Sequence, residues 1–133
     1  GFRCYGASGE SLKPGAACTF ELGIFCQTER KKVHVAFGIN DKYGNRLLTP
    51  FTKYNNELLE LREGENTVLC EIENLYLKPD AYYLHLYVGD GNQRFDYVSE
   101  GISIEVAPLA FYSAFMPDES YGHFLVNQKW LIK

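Results

Sequence analysis

The feature that most constrains this chain is a hydrophobic period of two. Residues 17–26 place Cys18, Phe20, Leu22, Ile24 and Cys26 on one side. Residues 33–40 set Val33, Val35, Phe37 and Ile39 against His34, Ala36, Gly38 and Asn40. Residues 66–72 group Val68, Cys70 and Ile72, and residues 101–106 group Ile102, Ile104 and Val106. Residues 82–89 group Tyr82, Leu84, Leu86 and Val88 against Tyr83, His85 and Tyr87. Alternation of this kind describes strands with one buried face and one wet face. Turn chemistry separates the runs: Lys13-Pro14-Gly15, Gly44-Asn45, Arg62–Asn66, Lys78-Pro79-Asp80 and Asp90-Gly91-Asn92. The nearest approach to a helix, residues 55–62, reads as a loop or a single turn. An all-β antiparallel sandwich follows.

A length of 133 residues fits one domain spanning 1–133. Beyond Pro108 the alternation stops. Residues 109–122 read as a linker, and 123–132 as a terminal strand with Phe124, Val126, Gln128 and Trp130 on one side. A strand on such a linker can pair within its own domain or be exchanged with a second copy. Trp130 is expected to anchor it in the core, with completion of a partner's groove as the alternative.

Charge and motifs exclude several classes. Thirteen basic and seventeen acidic side chains leave a net charge of -4, which argues against nucleic acid as a partner. No apolar run reaches the roughly 18 residues of a membrane span, and no signal-peptide pattern opens the chain. The four cysteines, Cys4, Cys18, Cys26 and Cys70, lack C-x-x-C spacing. Reduced thiols in a cytosolic protein are the expectation; two disulfides in a secreted one are the alternative.

Catalytic chemistry finds no constellation. His34 and His85 both point outward by parity, and with Glu105 or Asp96 they could hold a metal. Their spacing matches no known ligand pattern, so solvated or sugar-contacting histidines are the plainer reading. Nucleophile-elbow, zincin and Walker sequences are absent. Glu57, Glu60, Glu63 and Glu65 fall in a polar connection and read as a solvated face. The chain is therefore read as a non-enzyme with no cofactor.

The outward rows suggest binding instead. Tyr83, His85 and Tyr87 stand beside a trough of His34, Ala36, Gly38 and Asn40, with Ser103 and Glu105 beyond. Aromatic faces remove the C–H side of a sugar from water, at about 25 cal/mol per Å². Polar groups around them pair its hydroxyls. The candidate glycan-binding residues are His34, Asn40, Tyr83, His85, Tyr87 and Ser103. Arg94 and Lys129 are the candidates for an anionic cap. The competing explanations are a protein-contact face and an ordinary tyrosine-rich sheet surface, stabilised by cross-strand aromatic pairs.

Three segments in order then suggest a family. They are Phe37–Asn45, Gly64-Glu65, and Ile72–Leu84 (IENLYLKPDAYYL). The chain resembles the C-terminal domain of Wzt, the ATP-binding subunit of O-antigen polysaccharide ABC exporters. The pattern is a strand ending in I-x-D-x-x-G, a later I-x-N-L-x-L-x-P-G-x-Y-x-L, and a closing strand with a Trp; Asp80 stands where the pattern has Gly. The resemblance implies an immunoglobulin-like β-sandwich that binds O-antigen polysaccharide, often through a modified non-reducing end. It implies a homodimer in which the C-terminal strand can be exchanged. It also implies an N-terminal nucleotide-binding domain, a membrane subunit as partner, and a cytoplasmic site at the inner face of the inner membrane. The rival functions are a structural dimerisation module without its own ligand and a small metal-dependent or hydrolytic enzyme.

Overall fold

The structure, a computed structural model, describes residues 1–90, 94–108, 111–112 and 119–133, with the side chains of 94–102 and 119 left aside. Eight strands are present among them: β1 (Phe2–Gly6), β2 (Cys18–Cys26), β3 (Arg30–Asn40), β4 (Arg46–Leu48), β5 (Leu59–Leu61), β6 (Gly64–Ile72), β7 (Ala81–Gly89) and β8 (Arg94–Glu105). They form two antiparallel sheets. One has the order β1-β2-β6; the other runs β4-β3-β7-β8, with β5 also on β3. This is the all-β sandwich that the alternation predicts.

The buried rows are the predicted ones. Phe20, Leu22, Ile24 of β2, Val33, Val35, Phe37, Ile39 of β3, and Tyr82, Leu84, Leu86, Val88 of β7 close the core. The two sheets meet through aromatic rings: the Phe20 and Phe37 centroids are 4.7 Å apart, and Phe2 lies 5.9 Å from Phe20. Offset contacts of this kind add to plain area burial. All four cysteines are free thiols. Burial, aided by the nearby Cys4 and Cys70, pushes the Cys18 thiol up to about 12, so it packs as a small hydrophobe.

Three strands are additional to those read from the sequence. β1 is short, and β4 and β5 have three residues each, too few for alternation to register. The chain from Arg46 to Leu61 runs antiparallel along one edge of β3, pairing Arg46 with Asn40, Phe51 with Ala36 and Leu59 with Val33. A 3-10 turn, Thr52–Asn55, interrupts it, slightly earlier than the single turn expected within residues 55–62. There the Thr52 hydroxyl accepts the Val35 N–H at 3.0 Å, replacing a ladder bond. β8 begins earlier than the expected 101–106.

The family-like motifs have clear physical roles. Asp41 Oδ1 accepts the backbone N–H of Tyr43 at 2.9 Å and of Asn45 at 2.8 Å. Gly44 takes φ +85°, which closes the turn at little steric cost. Burial alone would raise the Asp41 carboxyl, but the bonds from Asn45 and Tyr43 and the nearby His123 outweigh it and hold it below its ordinary value. In the second motif, Leu75 and Leu77 plug the core. The Tyr82 hydroxyl donates to the Lys78 carbonyl at 2.7 Å, four residues upstream, as in the tyrosine corner of Greek-key sandwiches.

The closing segment differs from the expected strand. Phe124 makes an isolated antiparallel bridge with Leu77, and residues 127–133 form no strand pairing among the described residues, although the Asn127 amide donates to the Tyr76 hydroxyl at 3.3 Å. Trp130 is 86% exposed, so it does not anchor in the core of its own domain. The expected linker falls partly outside the described residues.

Replacing Tyr82 by Phe tests the corner. The buried Lys78 carbonyl then loses its donor, and stability should fall by about 1–3 kcal/mol in urea or thermal unfolding, with the fold retained.

Candidate functional site

Strand register places the predicted residues on one surface. β3 and β7 are neighbours, pairing Asn40 with Tyr83, Gly38 with His85 and Ala36 with Tyr87. β7 pairs Tyr83 with Ser103 on the other side. One lateral row therefore reads Arg46, Asn40, Tyr83, Ser103 across four strands. A second row, four residues back along β3, reads Phe51, Ala36, Tyr87. Gly38 and His85 lie between them.

The first row is polar and interconnected. The Arg46 Nε–H donates to Asn40 Oδ1 at 2.6 Å, and Nη1 donates to the Thr49 hydroxyl at 3.1 Å. Arg46 only donates, so the Asn40 amide turns its oxygen toward it and its NH₂ toward His85. Asn40 Nδ2 and His85 Nε2 are 3.0 Å apart. His85 Nε2 is then the acceptor, and the ring carries its proton on Nδ1. Gly38 makes this possible: a Cβ there would collide with the Arg46 guanidinium. No carboxylate opposes Arg46 among the described residues, and its Nη2 has no hydrogen bond there. The face thus presents a guanidinium edge to solvent. Asn40 is only 7% exposed, so it orients Arg46 and His85 rather than standing open. Tyr83, at 38%, is the exposed ring beside it.

The second row is aromatic. Phe51 packs edge-on against Tyr87 at 6.2 Å and against His34 at 6.0 Å. Tyr54 adds a further ring, 5.5 Å from Phe51. His34 Nδ1 lies 3.3 Å from the Thr52 hydroxyl, which holds the ring at the far end of the face.

Two expectations change in detail. The trough over Gly38 is not open, because Arg46 fills it. His34 and His85 share the face but stand four residues apart along the paired strands, about 13 Å at the usual rise. They cannot share one metal ion, and no group of three potential ligands converges among the described residues. Glu57, Glu60, Glu63 and Glu65 are exposed. The side chains of Arg94 and Asp96 lie outside the described residues.

Arg46, Phe51 and Tyr54 were missed from the sequence. A signal for Arg46 was present: a turn closed by Asp41 and Gly44 brings the next residue opposite Asn40. Phe51 had no such signal, because a bend and a 3-10 turn flank it. A cleft of about 450 Å³ opens between the sheets beside this face. Its floor is apolar, formed by Leu22, Val35, Phe37, Val68 and Cys70.

Comparison with known proteins agrees with this architecture. The crystal structure of the C-terminal domain of Wzt superposes with a TM-score of 0.78 at 12% identity, covering 99% of this chain and 81% of that one. A β-glucuronidase from glycoside hydrolase family 2 superposes with a TM-score of 0.56 at 16% identity, covering 80% of this chain. That likeness is one of fold, since this chain spans only 11% of the glucuronidase. No curated protein sequence matches the chain. The Wzt C-terminal domain family matches over residues 4–122, and the chain belongs to that family.

Proposed function

We propose that this domain is a non-catalytic glycan-binding module that selects O-antigen polysaccharide for an ABC exporter, through the outward face of the five-stranded sheet. The observation that carries the reading is the pairing of two rows on that face. The row of Arg46, Asn40, Tyr83 and Ser103 offers donors and acceptors, and the row of Phe51 and Tyr87 offers ring surface. A sugar has the same two kinds of surface. Tyr83 and Tyr87 pack its C–H faces, while Arg46, His85 and Ser103 pair its hydroxyls or a terminal modification. Asn40 orients Arg46 and His85, and His34 closes the aromatic end.

The family supports the setting: an exporter with an N-terminal nucleotide-binding domain and a membrane subunit, this domain lying on the cytoplasmic side of the inner membrane. No helix among the described residues is long and apolar enough to cross a membrane. A homodimer is part of the proposal. Val126, Trp130, Leu131 and Ile132 are exposed on a segment without strand partners among the described residues. An exchanged strand would cover them. The same observation favours a second reading, in which the domain only dimerises and couples the ATPase halves.

Binding of the source strain's O-polysaccharide, measured by calorimetry, separates the two readings. Tyr83→Ala with Tyr87→Ala should weaken binding at least about tenfold, or about 1.4 kcal/mol. Gly38→Ala should also weaken it, by displacing Arg46 while leaving the fold intact. No binding by the unaltered domain would leave the structural reading; binding with unchanged affinity in the variants would refute this face as the site. Removing residues 126–133 should convert the dimer to a monomer in light scattering. A dimer that survives the truncation would refute strand exchange.

A further inference from the structure

The closing segment touches the turn that borders the candidate face through one side chain that the glycan reading does not use. After Gly122 the chain returns to the body beside residues 76–78. The Lys78 N–H donates to the His123 carbonyl at 3.1 Å, and the Leu125 N–H donates to the Tyr76 carbonyl at 2.8 Å. Leu125 is 3% exposed, so this return is a packed anchor. Beyond it the exposed apolar segment begins.

Within that anchor, His123 reaches another element. Its Nε2 lies 3.2 Å from Asp41 Oδ2, and the Asp41 side chain is 4% exposed. His123 Nδ1 is buried without a hydrogen-bond partner, so Asp41 is the ring's one polar tie among the described residues. Asp41 Oδ2 also accepts the Asn45 amide at 3.0 Å, and Oδ1 takes the Tyr43 and Asn45 backbone N–H groups. The Asp41 N–H in turn donates to the Asn45 carbonyl at 2.9 Å. Asn40 precedes Asp41, and Arg46 follows Asn45. The two ends of this turn are therefore the two residues joined by the 2.6 Å bond at the polar end of the face.

We infer that His123 is a positioning residue for the ligand face. Through Asp41 it sets the 41–45 turn, and so the aim of Asn40 and Arg46. Docking of the closing segment and shaping of the polar row are then one linked equilibrium. Coupling of this kind is reciprocal: a ligand that prefers the ordered row favours the docked segment by the same factor. Because the segment continues into the proposed exchange strand, ligand binding and dimer assembly share this contact. The functional half of the inference rests on the glycan reading; the structural half does not.

The test uses the whole chain, isotope-labelled and without ligand. NMR follows the Arg46 Nε–H, the Asn40 side-chain amide and the Asn45 backbone amide. His123→Ala should move all three, and His123→Gln, which keeps a donor toward Asp41, should restore them at least in part. Ile24→Val, a core change in the other sheet, controls for general loss of stability and should leave them in place. Three signals unmoved by His123→Ala, or moved equally by Ile24→Val, would overturn the inference. Polysaccharide affinity is read afterwards and should fall about fivefold in His123→Ala, at the low end of typical coupling. Moved signals with unchanged affinity would uphold the linkage and count against the glycan face instead.

Discussion

A strand packed against one partner sheet can bury only one of its two side-chain rows. Everything on the candidate face follows from that constraint. β2, β3 and β7 commit Phe20, Phe37, Tyr82 and their neighbours to the core. The opposite rows of β3 and β7 must then turn outward, together, because the strands are hydrogen-bonded in register. His85 and the tyrosines are brought side by side by core burial, before any ligand is considered. The core supplies the stability, and the outward rows are free to carry polar and aromatic side chains that add little to it.

The outward face is nevertheless not a bare sheet. The strip from Arg46 to Leu61 folds along the edge of β3 and lays Arg46 and Phe51 across it. Small residues in β3 accept these visitors: Gly38 lies under the guanidinium, and Ala36 pairs with Phe51. The trough expected from small outward residues is thus a seat for side chains of the same chain. One buried carboxylate, Asp41, organises the neighbourhood. It closes the turn, fixes the spacing between Asn40 and Arg46, and meets the ring of His123. A motif readable as a simple turn is also the junction between the face and the closing segment.

The sandwich was legible because alternation is a direct record of burial. The five longest runs of the pattern correspond to β2, β3, β6, β7 and the second half of β8. β4 and β5 were not legible, because three residues cannot display a period. β8 was cut short because Asp96 stands across from Val88, interrupting the apolar row. The six candidate residues share one face because parity set their side and the strands that carry them are neighbours in the sheet, which the sequence offered only as a condition. Parity says nothing about side chains arriving from a neighbouring loop, so Arg46, Phe51 and Tyr54 were hidden, and Asn40 was expected to be wetter than it is. Trp130 was assigned to the core on hydrophobicity alone. Hydrophobicity does not specify whose core, and in a single chain the residue stands in solvent.

The central claim is that ligand meets the outward face of the five-stranded sheet. Chemical-shift mapping with the source strain's O-polysaccharide tests it most directly, using chains with and without the natural terminal group. The account predicts shifts at Arg46, Tyr83, His85, Tyr87 and Ser103, with Thr19, Glu21, Thr67 and Glu71 of the other sheet unchanged. Shifts confined to the three-stranded sheet or to the cleft beside Val68 and Cys70, or no shifts at millimolar sugar, would contradict it.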